Sequence, residues 1–175
     1  ENIINKYKKF NIRFFSMYGA SETTSRMSYV PWNMTTKKKG SIGIPLKGGS
    51  FYLEDKNGKK INQSNKIGEL VYSGKNVFMG YSNNLNDLSK GDVNNGIFKT
   101  GDYAYKDKDD YYFITGRKDR YIKIYGMRVN LDEFEDIITK YGVENICTQK
   151  KHNKILIYVK NFNKNEQLKK YLIKL

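Results

Sequence analysis

Along the first sixty residues, hydrophobic positions change period twice. Ile3, Ile4 and Tyr7 recur at helical spacing and predict a surface helix over residues 1–9. Residues 11–18 (NIRFFSMY) follow as a strand, nearly apolar on both faces towards its end. That suits a strand buried in a layered α/β sheet. Its exit, Tyr18-Gly19-Ala20-Ser21-Glu22-Thr23-Thr24, is a polar loop at a strand's carboxyl end, where open α/β sheets hold ligands. Residues 25–49 carry Pro31, Pro45 and Gly48-Gly49 and read as irregular, which places a boundary near Pro45.

Beyond Pro45 the period becomes that of short strands. Ser50 to Glu54 leads into the hairpin turn Asp55-Lys56-Asn57-Gly58, and Ile67 to Gly74 forms a second strand. A third short element ends at Gly80-Tyr81, and a polar loop runs on to Gly96. Residues 97–100, 103–106 and 111–115 read as three more strands, the last two joined through Asp107 to Asp110. Together they predict a small distorted β-barrel or sandwich. After Arg117 come a strand at 121–125 and a helix with Asn130 as cap and Glu133 as its partner. Phe134, Ile137, Ile138 and Tyr141 form its stripe, and Gly142 stops it. Two strands near 143–149 and 155–159 and a helix over 166–175 complete a small α+β unit. The expected fold is therefore α/β and α+β. It comprises the end of a layered core (1–45), a barrel subdomain (46–118) and a partial C-terminal lid (119–175).

Composition alters this picture little. The 38% of hydrophobic residues, with 15 Tyr and 9 Phe, suffices for a core, and no apolar run approaches the ~20 residues of a membrane span. A cytoplasmic protein is the expectation by default. The single cysteine, Cys147, lies in an apolar run and reads as an inert buried thiol. The net charge of +14 raises nucleic-acid binding as an alternative. The lysines are scattered, however, and solvated surface is the favoured reading. The chain begins with Glu1 inside a helical pattern, and so is expected to be a piece of something longer.

Four stretches carry candidate chemistry. Tyr18 to Glu22 offers an aromatic plate, a flexible turn, a hydroxyl and a carboxylate, though a capped strand exit would look the same. Gly68-Glu69-Leu70 with Gly74 and Gly80-Tyr81 reads as structural turns. Thr100-Gly101-Asp102 could be a turn, or could present a carboxylate to a ribose diol. Arg117 and Asp119, in Gly116-Arg117-Lys118-Asp119, could be a surface ion pair of little consequence.

Taken in order, these stretches resemble the later core motifs of the adenylate-forming superfamily: acyl-CoA synthetases, peptide-synthetase adenylation domains, D-alanine ligases and luciferases. The matching residues are Tyr18-Gly19-Ala20-Ser21-Glu22-Thr23, Gly68-Glu69-Leu70, Thr100-Gly101-Asp102, and Gly116 to Asp119 with Lys123, Gly126 and Arg128. The resemblance implies a nucleotide site in which Tyr18 stacks on adenine, beside Gly19, and Ser21 bonds the α-phosphate. Asp102 and Arg117 would grip the ribose, and Glu22 would help hold Mg²⁺. It further implies Asp119 as the hinge of a rotating lid, with catalytic roles for Glu22 and for Lys123, which swings in for the second step. Gly126 would line the channel of the acceptor thiol.

The implied reaction consumes ATP and a carboxylic acid, forms an acyl-adenylate, and passes the acyl group to coenzyme A or a carrier-protein pantetheine. Two family features have no match: the upstream phosphate loop and the C-terminal catalytic lysine. The chain alone is therefore expected to be inactive, with a non-catalytic AMP-binding-fold module as the alternative. Ala20 and Ser21 stand where many relatives carry proline and threonine.

Overall fold

Strand β6 (Gly68–Gly74) alternates imperfectly, and three consecutive residues, Leu70, Val71 and Tyr72, are almost wholly buried. A strand covered on both faces is the natural centre of a sheet. In the computed structural model, which describes residues 3–124, 127–140, 144–150 and 154–160, β6 is that centre.

The preceding elements are helix α1 (Ile3–Lys9) and strands β1 (Ser16–Tyr18), β2 (Ser28–Val30), β3 (Ile44–Pro45), β4 (Gly49–Glu54) and β5 (Lys60–Ile61). After β6 come β7 (Ile97–Lys106), β8 (Tyr112–Arg117), β9 (Tyr121–Ile124), β10 (Met127–Asn130), helix α2 (Leu131–Thr139), β11 (Asn145–Lys150) and β12 (Lys154–Val159). The chain divides into two compact units, Glu1–Thr115 and Gly116–Leu175.

In the first unit, β1, β2 and β3 form one antiparallel sheet. The second sheet has the order β5-β4-β6-β7-β8. Its core joins Met27, Phe51, Leu53, Leu70, Tyr72, Ala104 and Tyr112. Phe51 meets Tyr72 and Tyr112 edge-on, with ring centroids 5.5 and 5.2 Å apart, the geometry that ring quadrupoles favour. Lys38 fastens the connection after β2 to the β7–β8 hairpin. Its ammonium reaches Asp107 at 2.7 Å and Asp109 at 2.6 Å, and lies over the Tyr111 ring.

In the second unit β9 pairs with β10 and β11 with β12, both antiparallel. Asn130 caps α2 by accepting the Asp132 amide at 2.9 Å. The helix buries Leu131 and Ile138 with Ile122 and Cys147. Burial pushes the Cys147 thiol up to about 11, so it is protonated and inert at neutral pH. Arg120 ties the unit together. It donates to Asp132 at 2.6 Å, to Glu135 at 2.5 Å and to the Cys147 carbonyl at 2.9 Å.

Several expectations are corrected. The barrel is an open five-stranded sheet whose edges, β5 and β8, lie at opposite ends of its order. Residues 11–18 do not form a long buried strand. Only Ser16–Tyr18 pairs, antiparallel with β2, and Phe15 and Met17 stay 40% and 49% exposed. No strand forms at residues 75–81. The polar loop beyond holds a 3₁₀ turn, Leu85–Ser89, capped by Asn84. The helix expected over 166–175 and the turn glycines Gly126 and Gly142 lie outside the described residues. Among the described residues no helix is long and apolar enough to cross a membrane.

Arg120→Met removes three donors to half-buried acceptors and is expected to cost about 1.5–3 kcal/mol in urea unfolding, the range for hydrogen bonds to charged groups. Burial raises the proton affinity of Glu135, but the Cys147 amide and Arg120 outweigh it and hold the carboxyl below its usual range. A lowered folded-state value gives stability that is full above the unfolded value of about 4.3 and fades as pH falls through the folded one. Melting below about pH 4.3 should therefore separate wild type from variant less than melting at pH 7.

Candidate functional site

Ten residues of β7 run against only part of β6, and the register explains why. Glu69 faces Tyr103 and Val71 faces Lys99, so Leu70 alone opposes Thr100, Gly101 and Asp102. Two extra residues must therefore be stored in β7. Gly101 accommodates them with φ of 72°, a value that a side chain resists. The Thr100 hydroxyl closes the gap. It donates to the Leu70 carbonyl at 2.9 Å and accepts the Asp102 amide at 3.1 Å.

The Thr-Gly-Asp triplet, expected as a turn between two strands, is thus a bulge inside one strand. Bulges re-aim side chains, and this one brings Asp102 against Tyr18. The Tyr18 hydroxyl donates to the Asp102 carboxylate across 84 residues of sequence. Asp102 is buried, and the Tyr18 ring packs against the first core, tilted over Phe51.

The loop after Tyr18 folds back on itself. The Met27 amide donates to the Tyr18 carbonyl, and the amides of Thr23 and Ser25 both donate to the Ala20 carbonyl. A Cβ on Gly19 would stand 2.0 Å from the Ser25 oxygen, so only glycine permits this return. Ser21, Glu22 and Thr23 form one 3₁₀ turn. Ser21 is exposed, and Glu22 is half-buried and accepts the Tyr81 hydroxyl at 2.6 Å.

Tyr18, Gly19, Ser21, Glu22 and Asp102 therefore belong to one unit, and Tyr18 and Asp102 touch. Arg117, Asp119 and Lys123 belong to the other. Arg117 and Asp119 are exposed at the end of β8 and in the following 3₁₀ turn, 3.8 Å apart at their charged groups. Lys123 is exposed on β9, facing Arg128 in the register of the β9–β10 hairpin. Gly126 lies outside the described residues.

Sequence reasoning missed the supports. Asn76, between the glycines Gly74 and Gly80 read as structural turns, donates to the Thr23 carbonyl at 2.6 Å and accepts from Tyr72 at 2.8 Å. Two residues after a strand-ending glycine, it carries only a turn signal. A polar cleft of about 720 Å³, lined by Gly49, Ser73, Gly74, Lys75, Asp92 and Asn95 among others, has no residue of the Tyr18–Glu22 stretch in its wall. Gly101→Ala should cost about 1–2 kcal/mol through left-handed backbone strain. Thr100→Val should cost a further ~1–3 kcal/mol by leaving a buried carbonyl and amide without the hydroxyl. Chemical denaturation of the two single variants and the double variant checks both.

Comparison with known proteins adds a lineage to this geometry. Residues 1–82 match the family model of the AMP-binding enzyme. Probable 4-coumarate–CoA ligase 2 of Dictyostelium discoideum is 32% identical over 142 residues, 81% of this chain and 25% of its own length. Gramicidin S synthase 1 of Brevibacillus brevis is 31% identical over 147 residues, 80% of this chain and 13% of the synthase. The AMP complex of o-succinylbenzoate coenzyme A synthetase from Bacillus subtilis superposes with a TM-score of 0.71 at 23% identity, covering 98% of this chain and 36% of that one. The chain spans about a quarter of the length of the first curated relatives it matches. The superposition shows a shared fold, and the family-model match with the curated relatives places the chain in the adenylate-forming, AMP-binding enzyme superfamily.

Proposed function

We propose that this chain carries the adenosine-binding part of an ATP-dependent, AMP-forming acid ligase, and that residues 119–175 belong to its moving lid. The observation that carries this reading is the Tyr18–Asp102 contact. Two separate motifs, each ambiguous alone, put an aromatic ring and an acceptor carboxylate side by side. A nucleoside presents a flat π-face and a vicinal diol, and this pair is complementary to both. A carboxylate accepts up to about four hydrogen bonds, so the bond from Tyr18 orients Asp102 without exhausting it.

In this reading the carboxylate substrate attacks the α-phosphorus of ATP. A P–O bond forms to the acid, and the bond to the pyrophosphate leaving group breaks. A thiol then attacks the acyl carbon and AMP leaves. Ser21, exposed on its 3₁₀ turn, donates to the α-phosphate, and Tyr18 and Asp102 hold the nucleoside still while charge moves. Arg117 adds donors to the ribose, Asp119 is the pivot, Lys123 lies on the face that serves the second half-reaction, and Gly126 borders the thiol's path.

Among the described residues no three of His, Cys, Asp and Glu gather into a metal cage. Glu22 supplies a single carboxylate, which fits Mg²⁺ held by one protein oxygen together with phosphate and water oxygens. When bound, the ion offsets phosphate charge. The acceptor in this reading is the thiol of coenzyme A or of a carrier protein, and the relatives include a 4-coumarate–CoA ligase and a nonribosomal peptide synthetase.

Asp102→Ala in the full-length protein should weaken nucleotide binding about 10- to 100-fold, the loss expected for one or two hydrogen bonds to a charged group. ATP–pyrophosphate exchange measures it, and unchanged exchange overturns the ribose assignment.

A further inference from the structure

The loop that carries Ser21 and Glu22 is strained. Thr24 and Ser25 both hold left-handed backbone, with φ of 56° and 67°, and neither is glycine. Such residues cost of order 1–3 kcal/mol each and persist only where their surroundings over-determine them. Beyond the loop's own hydrogen bonds, its surroundings include one neighbouring segment. Asn76 donates to the Thr23 carbonyl at 2.6 Å, and its own carbonyl accepts the Thr24 hydroxyl at 3.3 Å. The Phe78 amide donates to the Glu22 carbonyl at 2.8 Å, and the Tyr81 hydroxyl donates to the Glu22 carboxylate at 2.6 Å. Four hydrogen bonds thus run between residues 22–24 and residues 76–81.

What makes the segment a support is its footing. The Asn76 side-chain oxygen accepts from the Tyr72 hydroxyl at 2.8 Å. Tyr72 is 2% exposed, in the middle of the five-stranded sheet. Cβ atoms on Gly49 and Gly74 would stand 2.2 and 2.8 Å from that hydroxyl, so two glycines leave it room without slack. The path from rigid sheet to loop is therefore Tyr72, Asn76, Thr23, each step a short hydrogen bond. Asn suits the middle place because its amide accepts with one atom and donates with the other. At the far end, Tyr81 is itself seated edge-on against Phe78, with ring centroids 4.7 Å apart.

We infer that Asn76 and Tyr81 are positioning residues for the Ser21–Glu22 turn. Asn76 transmits the fixed position of Tyr72 to the turn's backbone, and Tyr81 aims the Glu22 carboxylate. This rests on the proposed nucleotide site and adds how that site is kept ready before anything binds. It follows that the turn is preformed and that its order does not come from the ligand. Neither residue touches the reacting atoms.

The test uses Asn76→Asp, which keeps an acceptor for Tyr72 but replaces the donor to Thr23, together with Tyr72→Phe and Tyr81→Phe. Amide hydrogen exchange is read with no ligand present, and the KM for Mg·ATP and kcat are read in the full-length protein. Asn76→Asp and Tyr72→Phe should speed exchange at Thr23, Ser25 and Phe78 about 2- to 10-fold, as loss of one hydrogen bond implies. Exchange at Val71 and Tyr72, in the sheet, should not change. All three variants should raise the KM for Mg·ATP more than they lower kcat, and Tyr81→Phe should do so with little change in loop exchange.

Unaltered loop exchange in both Asn76→Asp and Tyr72→Phe overturns the inference. So does an equal rise in the sheet, which would make Asn76 a residue of general stability. A Tyr81→Phe protein with an unchanged KM for Mg·ATP removes the role given to Tyr81. A wild-type protein that binds no nucleotide overturns the proposed function instead, and the exchange result then decides the support by itself.

Discussion

A β-strand that sets three residues against one of its neighbour's cannot stay regular, and the site is built on the way β7 resolves this misfit. The surplus could have been expelled as a loop. It is retained because a threonine hydroxyl can donate and accept at once, replacing ladder bonds that the register denies to Leu70 and Asp102. Glycine supplies the backbone angle and the aspartate inherits the changed direction. Each of the three side chains has a separate task, so the triplet behaves as one device. Its output is a carboxylate sunk beside a tyrosine ring from a distant part of the chain.

Much of this was legible in the residues, and what was not has definite causes. Helix α2, its Asn130 cap and its core positions Phe134 and Ile138 could be read because local rules govern them, although the cap bonds the Asp132 amide where Glu133 is the expected partner. The strands of the open sheet could be read as strands, but their closure into a barrel could not. Alternation reports which side chains face inward and is silent on whether the two edge strands meet. Thr100-Gly101-Asp102 looked like a turn because glycine beside aspartate signals a turn. Its placement inside a strand depends on the register with β6, which is a property of two segments. The short β1 shows the converse. Phe14, Phe15 and Met17 are apolar enough for a buried strand, yet nothing local says how much of that surface will find a partner.

The candidate site divides along the same line. Tyr18, Glu22 and Asp102 stand in ordered motifs and could be picked out as candidates. Asn76 and Tyr72 were not, because what distinguishes them is a chain of hydrogen bonds across more than fifty residues. Residues that present chemistry tend to be unusual for their place in the chain, whereas residues that hold them look ordinary. In this protein the ordinary ones carry the loop with two left-handed residues, Thr24 and Ser25.

Arg120 has a mechanical meaning beyond the bonds it makes. It follows Asp119 directly and grips a helix and a strand of the second unit with one planar group. A pivot is useful only if the body attached to it does not bend, since a soft arm would dissipate a rotation before its tip moved. By fastening the residue after Asp119 to both α2 and β11, the guanidinium binds the start of this unit to its helix and one of its strands. In the proposed reading, with Asp119 as the pivot, a change of two backbone angles there would be passed to these elements together.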